Sequence, residues 1–184
     1  MRSVLSSLPR GTRLLVVAAL ASALSAPSVA AAAGGQGTID LSGRVGKVRL
    51  GDGLKAVRAF AGRPTRTIRG RGEGTPRFTE YRYQCGQGCS TSYYFTARGR
   101  LANFITTSKR WRTAAGSRVG DLLKAAEAAE GKQSVIGGGC GASGPVIRKS
   151  GGADLFLTFG DPAEGGETQV VALALAGKSS VLGC

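Results

Sequence analysis

The chain repeats the stretch RLGDGLKAVRAFAGR, residues 49–63, as RVGDLLKAAEAAEGK at residues 118–132. The offset is 69 positions, as from Gly51 to Gly120, and eight of the fifteen aligned residues are identical. Each copy has the pattern of a short helix that ends at a glycine. This internal duplication predicts an α+β fold of two tandem repeats, each with a short helical segment packed on an antiparallel β-meander.

Each predicted helix has a capping residue and an apolar stripe. Asp52 and Asp121 stand where N-capping residues belong, and Leu54, Val57 and Ala61 recur at helical spacing in the first copy. A helix of about ten residues does not persist alone in water. We therefore expect both helices to cover a sheet.

The rest of the chain divides around these helices. Residues 31–43 are rich in Gly and Ala and predict a flexible lead-in, and the arginine-rich residues 63–77 predict a basic loop. Strand patterns follow at residues 78–84, 90–97 and 101–107, then at 154–159 and 168–176, with a short strand-like pair at 146–147. Repeat 1 is expected at residues 44–112. Repeat 2, with a Gly-rich loop and a C-terminal tail, is expected at residues 113–184.

The N-terminus has the pattern of a secretory signal peptide over residues 1–30. Arg2, Arg10 and Arg13 precede an apolar run at residues 14–24, and small residues follow up to Ala30. The run is too short to span a membrane. We expect a Sec-type export signal, no transmembrane span after its removal, and a secreted or extracytoplasmic protein.

The chain is strongly basic, with 25 Lys and Arg against 11 Asp and Glu. Such a charge favours anionic partners, here an anionic envelope polymer or an acidic face of another protein; nucleic acid is not expected outside the cell. The alternative is that arginine serves only as a solvated charge. The candidate binding arginines are Arg66, Arg69, Arg71, Arg110 and Arg112.

Aromatic residues on the predicted strands form a second set of candidates. Neighbouring Tyr93 and Tyr94 must point to opposite faces of their strand, so one of them lies on the face away from the helices. Exposed amphipathic aromatics commonly anchor protein partners. The aromatic candidates are Tyr81, Tyr83, Tyr93, Tyr94 and Trp111.

Four cysteines in an exported chain predict disulfides. Cys85 and Cys89 flank a Gly-Gln-Gly tip between two strand patterns and are expected to pair with each other, which leaves Cys140 to pair with Cys184. A zinc site would be the alternative. With no His in the chain and this spacing, we expect no metal.

No catalytic signature is present. The chain has no His to act as a general base for a serine or cysteine nucleophile. The run at residues 139–144 matches G-x-G-x-x-G, but Pro145 follows it instead of a helix, so no cofactor is expected. A carboxylate-dependent envelope hydrolase stays open as an alternative, with candidate acids at Glu73, Glu80, Asp154, Asp161, Glu164 and Glu167.

The segment GKVRLGDGLKAVRAFAGRP, residues 46–64, resembles the opening of the BamE-like (SmpA/OmlA) lipoproteins and of the β-lactamase-inhibitor-protein (BLIP) superfamily. This resemblance implies two repeats side by side, whose joined sheet forms an aromatic-rich surface that grips a partner protein. We therefore expect a secreted, non-catalytic binding protein of the envelope or extracellular space that uses a sheet face or an Arg-rich surface. A BLIP-like inhibitor of a secreted enzyme is the alternative that the resemblance implies.

Overall fold

The computed structural model describes residues 35–71, 76–131, 146–148, 153–160 and 168–182. The expected signal peptide, Cys140 and Cys184 lie outside these residues. The described residues form a predominantly β structure with two helices, which confirms the α+β class. The elements are β1 Gly37–Ile39, β2 Arg44–Val45, β3 Val48–Arg49, α1 Leu54–Ala61, β4 Arg66–Arg71, β5 Arg77–Gly86, β6 Cys89–Thr96, β7 Leu101–Thr106, β8 Trp111–Thr113, α2 Leu123–Glu130, β9 Val146–Arg148, β10 Asp154–Gly160 and β11 Gln169–Ala176.

The strands form two sheets. The larger has the order β4-β5-β6-β7-β11-β10-β9, and every neighbouring pair is antiparallel. The smaller has the order β3-β2-β1-β8, with β8 parallel to β1. The predicted strands at residues 78–84, 90–97, 101–107, 154–159 and 168–176 all lie in the larger sheet.

A single pair of strands joins the two parts of the larger sheet. β7 is the last of the four strands that follow α1 in this sheet, and it pairs with β11, the last of the three described strands that follow α2. Four residue pairs form this junction, with Ile105 opposite Ala174 and Phe104 opposite Leu175. The strands β4 to β7, which follow α1, and β9 to β11, which follow α2, therefore share one continuous sheet.

The segment before each helix has the same hydrogen bonds in both places. The backbone N–H of Gly51 donates to the carbonyl oxygen of Leu101 at 2.7 Å, and the N–H of Gly120 donates to that of Val170 at 2.7 Å. Both glycines have φ +94°, in the region that favours glycine. The same offset of 69 residues relates both donors and both acceptors.

The predicted helix caps at Asp52 and Asp121 are wrong, because each carboxylate closes the turn before the helix instead. Oδ2 of Asp52 accepts a hydrogen bond from the backbone N–H of Arg49 at 2.8 Å, and Oδ2 of Asp121 accepts one from that of Arg118 at 2.7 Å. The helices begin later, after N-cap residues without a side-chain cap, Gly53 and Leu122.

The main core lies between the larger sheet and the helices. Val57 and Ala61 of α1 and Ala126 of α2 pack with sheet residues such as Tyr93 and Phe104. A separate buried cluster lies on strand positions of the opposite parity: Phe156, Ala174 and Ala176, with half-buried Ile105 packed against them. Because successive strand residues point to opposite faces, this second cluster marks the face away from the helices.

Two expected irregular segments contain strands. Residues 37–39 of the predicted flexible lead-in form β1, because they pair with β8 and β2 and bury Ile39. Residues 66–71 of the predicted basic loop form β4, an edge strand whose six residues pair with β5. In both places, strand pairing overrides a composition typical of loops: β1 pairs with the distant β8, and β4 pairs with its neighbour β5.

Candidate functional site

A basic surface is built around β8. Alternation along this short strand directs Trp111 inward, where it is fully buried, and leaves Arg112 exposed. The indole makes edge-to-face contacts with Phe104 and Phe60, at ring-centroid distances of 4.7 and 6.2 Å. Trp111 therefore fixes β8 to the core beneath exposed cationic side chains.

Arg118 joins this surface from the turn that precedes α2. It forms an isolated antiparallel bridge with Arg112 of β8. Residues directly opposite each other in such a pair have Cβ atoms about 5 Å apart. The bond from its backbone N–H to Asp121 fixes the turn, so two arginine side chains leave the backbone side by side.

Lys109 reaches the same place across Gly120. A Cβ added to Gly120 would lie 3.3 Å from Cε and 3.5 Å from Nζ of Lys109. The absence of a side chain at Gly120 therefore leaves room for the ammonium group close to the turn that carries Arg118.

These side chains line a cleft of about 450 Å³, which we call the basic cleft. Its cationic side chains are exposed, and none of them forms an ion pair with a carboxylate in the part of the chain that the structure describes. The cleft therefore brings four cationic side chains together, none of them in an ion pair among the described residues. Its lining residues are Gln36, Gly37, Lys109, Arg110, Arg112 and Arg118.

Sequence reasoning found only part of this cleft. Arg110 and Arg112 are candidates from the sequence, and both line it. Arg118 was not a candidate, because its position in the duplicated segment marks it as part of a helix start. The only signal for it was its matching arginine, Arg49, in the first copy, and nothing in the sequence places Arg118 opposite Arg112.

The candidates Arg66, Arg69 and Arg71 lie elsewhere, on the edge strand β4. All three are exposed, and none of them lines the basic cleft. Arg66 is opposite Arg82, and Arg71 is opposite Arg77. Charged residues are a common feature of edge strands, where they prevent unwanted strand pairing.

Three of the five aromatic candidates are core residues. Tyr83, Tyr93 and Trp111 have exposed fractions of 1%, 0% and 0%. They cannot reach a partner, because the alternation of their strands turns them toward the helices and the smaller sheet. Tyr81 is half-buried against the same core, with its ring 5.1 Å from that of Phe95.

Tyr94 is the aromatic candidate that lies on the face away from the helices. It is half-buried, and its ring makes an edge-to-face contact with Phe78 at 5.9 Å. Burial raises the pKa of its hydroxyl, and the negative charge of Glu80 raises it further. Tyr94 is therefore a neutral, partly exposed aromatic beside a polar cluster.

That polar cluster is centred on Glu80, which is 3% exposed. Its Oε1 accepts hydrogen bonds from Nε of Arg82 at 2.6 Å and from Oγ of Ser92 at 2.8 Å. The hydrogen bond to Glu80 raises the pKa of the Arg82 guanidinium. Glu80 is thus a buried carboxylate whose charge is matched by an adjacent cation.

The carboxylate alternative requires two acids that converge on one cleft. Glu80 faces Arg82, and Asp154 lies on β10 at another place in the sheet order. Glu73, Asp161, Glu164 and Glu167 lie outside the described residues, as does the glycine motif at 139–144. Among the described residues, no three His, Cys, Asp or Glu side chains form a group that could hold a metal ion.

The disulfide between Cys85 and Cys89 is confirmed, with 5.1 Å between the two Cα atoms. It closes the tip of the hairpin formed by β5 and β6.

The helices α1 and α2, which are those of the described residues, are both too short to cross a membrane.

Comparison with known proteins gives a likeness of fold. No protein-family model matches the chain, and no curated protein matches it. The chain is similar to the crystal structure of the uncharacterized protein yfeY from Escherichia coli, with a TM-score of 0.54 and 11% identity, over 76% of this chain and 99% of that one. A second similar structure is that of an extracellular protein containing a SCP domain from Bacillus anthracis str. Ames. Its TM-score is 0.43 at 9% identity, over 71% of this chain and 44% of that one. At 11% identity, the first likeness concerns the fold alone.

Proposed function

We propose that this protein is an exported, non-catalytic binding protein that contacts an anionic partner through the basic cleft. The observation that carries the proposal is the convergence of four cationic side chains without an acidic partner among the described residues. Converging like charges raise the local concentration of anions and steer them toward the surface. The partner is an anionic envelope polymer or an acidic face of another protein.

The bridge between Arg112 and Arg118 supports binding over a purely solvated role. Like charges directly opposite each other destabilise an antiparallel pair. Other arginines of the described strands also lie opposite each other, but only Arg112 and Arg118 do so beside Lys109 and in a cleft. An anion between them would turn this repulsion into attraction.

Two features support a place outside the cytoplasm. The first is the signal-peptide pattern over residues 1–30. The second is the Cys85–Cys89 disulfide, because disulfides persist in oxidising compartments and are rare in the cytosol.

The test is the binding of polyglutamate, a simple acidic chain, to the protein without residues 1–30 over a series of salt concentrations. We expect Arg110→Gln/Arg112→Gln to weaken binding and to reduce its salt dependence, because two contacts to the polyanion are lost. Arg66→Gln/Arg69→Gln is the matched control, since it removes equal charge from β4. Equal losses in both double variants would contradict a role for the cleft.

We further propose that the two helix-containing parts are repeats of one unit, in the manner of the BLIP and BamE-like proteins. The matching hydrogen bonds at Gly51 and Gly120 and the antiparallel junction of β7 with β11 support this arrangement.

The repeat arrangement favours a second candidate function, inhibition of a secreted enzyme through the sheet face that carries Tyr94. Titration of secreted hydrolases such as a β-lactamase with the protein and with Tyr94→Ala tests it; inhibition that is lost in the variant is expected, and no inhibition by either would contradict it.

A further inference from the structure

We infer that the basic cleft is a site for a terminal phosphoryl group, carried by a diphosphate or a phosphomonoester. This inference rests on the proposed function and names the chemistry of its ligand. Four features support it: the paired arginines, the position of Lys109, the volume of the cleft, and the absence of a carboxylate among the residues that line the cleft.

The two bridged arginines match the geometry of a phosphoryl group. A guanidinium is a planar fork that donates two parallel hydrogen bonds to phosphate or carboxylate oxygens. Arg112 and Arg118 start from opposite backbone positions about 5 Å apart, so both forks can reach one anion. A tetrahedral phosphoryl group offers three oxygens to these forks, whereas one carboxylate has two.

Lys109 adds a point charge next to this pair. Its ammonium lies over Gly120, two residues from Arg118, where an added Cβ would be 3.5 Å from Nζ. Lysine is a common phosphate ligand that acts as a compact charge. Two arginine forks beside one lysine provide donors on several sides of the same group.

The charge and the size of the cleft favour a multiply charged ligand. A phosphomonoester carries about −1.5 to −2 at neutral pH, and a carboxylate carries one negative charge. Four unpaired cations are therefore better matched by phosphoryl groups than by one acidic side chain. A volume of about 450 Å³ also leaves space for the group that bears the phosphate.

Arg82 differs from the arginines of the basic cleft because it has an acidic partner within the chain. Its Nε donates to the buried Glu80 at 2.6 Å, so its charge is already matched. The arginines of the basic cleft have no such acceptor among the described residues. Their unmatched charge is the feature that points to a ligand from outside the chain.

The experiment is calorimetric titration of the protein without residues 1–30 with pyrophosphate, citrate and dimethyl phosphate at one fixed ionic strength. Citrate has a similar charge on carboxylates, and dimethyl phosphate is a phosphodiester without a terminal phosphoryl group. We expect pyrophosphate to bind most tightly of the three. Tighter or equal binding of citrate would overturn the inference in favour of charge alone, and preferred binding of dimethyl phosphate would overturn it in favour of internal phosphodiesters.

The variants separate geometry from charge. Arg118→Gln should weaken pyrophosphate binding about tenfold or more, as expected for a lost hydrogen bond to a charged group. Arg118→Lys keeps the charge and loses the fork, so it should also weaken binding. Arg49→Gln, at the matching position of the first copy, should leave binding unchanged. Full affinity in Arg118→Gln, or an equal loss in Arg49→Gln, would overturn the inference.

Polyglutamate in the same calorimeter distinguishes this inference from the proposed function. Binding of polyglutamate without binding of pyrophosphate would overturn the phosphoryl site and leave the anion-binding function standing. Failure of both ligands would overturn both. Thermal unfolding of each variant confirms that a loss of binding is not a loss of the fold.

Discussion

At the scale of single residues, Arg112 and Arg118 occupy opposite bridge positions, and neither forms an ion pair among the described residues. Other arginine pairs also lie directly opposite each other in the described strands: Arg44 and Arg49 in the smaller sheet, and Arg66 with Arg82 and Arg71 with Arg77 in the larger one. Like-charge pairs of this kind cost stability, but of these only Arg112 and Arg118 line the basic cleft. Stability and binding can therefore be separated by substitution.

Arg118→Gln should raise the free energy of unfolding in low-salt buffer by about 0.2–1 kcal/mol, because a like-charge cross-strand repulsion is removed. Arg49→Gln should give a similar gain for the same reason. Urea denaturation followed by the fluorescence of Trp111, the sole tryptophan, measures both changes. A loss of stability in either variant would show that the arginine makes a favourable contact.

Tyr83 and Tyr93 make the fold sensitive to high pH. Burial raises the pKa of Tyr83 to about 12 and also raises the pKa of Tyr93. An unfolded tyrosine has a pKa of about 10. A raised pKa in the folded state means that the unfolded chain releases its protons first, so the stabilising contribution is complete below about pH 10 and is lost as pH rises through the folded pKa.

We therefore expect the free energy of unfolding to fall with rising pH above about 10, in step with the titration of these two tyrosines. Tyr83→Phe should reduce that fall, since one group no longer ionises. Denaturation at several alkaline pH values, with phenolate absorbance recorded in parallel, is the measurement. Free titration of all four tyrosines in the folded protein would contradict the burial of Tyr83 and Tyr93.

Residue orientation was only partly predictable. Strand alternation requires Tyr93 and Tyr94 to face opposite ways, and the structure assigns Tyr93 to the core. Alternation does not say which side carries the helices. Trp111 is a candidate because it stands among cations in the sequence, yet alternation along β8 turns Trp111 inward and Arg112 outward.

At the scale of elements, the turns before the two helices have the same structure. A glycine at φ +94° donates its N–H to a strand in the larger sheet, and an aspartate closes the turn. Gly51 and Gly120 are identical because the turn needs a positive φ, and Asp52 and Asp121 are identical because each closes that turn. Neither aspartate caps its helix.

Gly51→Ala should lower the free energy of unfolding by about 1–2 kcal/mol, since a side chain is strained at this φ. The added Cβ meets no atom within 4 Å, so the cost is strain without a clash. Gly120→Ala should cost a similar amount, with a small addition from the flexible Lys109. Chemical denaturation of both variants checks this, and unchanged stability in either would argue against the strained turn.

The disulfide at the tip of the β5–β6 hairpin closes a short loop. Cys85→Ser/Cys89→Ser should lower the free energy of unfolding by about 2 kcal/mol, the chain-entropy estimate for five residues. Reduction of the wild-type protein should have the same effect, measured by urea denaturation with and without reductant. Equal stability in both conditions would mean that this bond does not constrain the chain.

Element prediction succeeded where patterns are local. β5, β6 and β7 alternate or carry β-branched and aromatic residues, and their bounds match the expected ones within two residues. β4 was missed because five arginines with Gly and Pro look like a loop. Its backbone pairs along one side only, with β5, which leaves an edge where charged side chains stay in water.

At the scale of the whole molecule, the α+β class was predictable from the duplicated helix pattern and the strand runs. The sheet order was not, because pairing between β7 and β11 joins residues far apart in the chain. The smaller sheet was also missed, since strands of two or three residues leave no periodic signal.

The sheet order predicts how the molecule opens. The central strands β7 and β11 have neighbours on both sides, whereas β4 and β9 are edges. In hydrogen exchange, we expect the amides of β7 and β11 to exchange only when the whole protein unfolds. The amides of β4 should exchange through local openings that cost less free energy. Faster exchange in β11 than in β4 would show that the strands after α2 unfold independently.

The junction of β7 with β11 also has a consequence for biosynthesis. The chain is made from its N-terminus, so β4 to β7 exist before β11, which begins only at Gln169. Until then, β7, with Phe104 and Ile105, is an unpaired strand edge that another nascent copy can occupy. The last of the described strands, β11, therefore covers the edge that β7 leaves open in the partial sheet of β4 to β7.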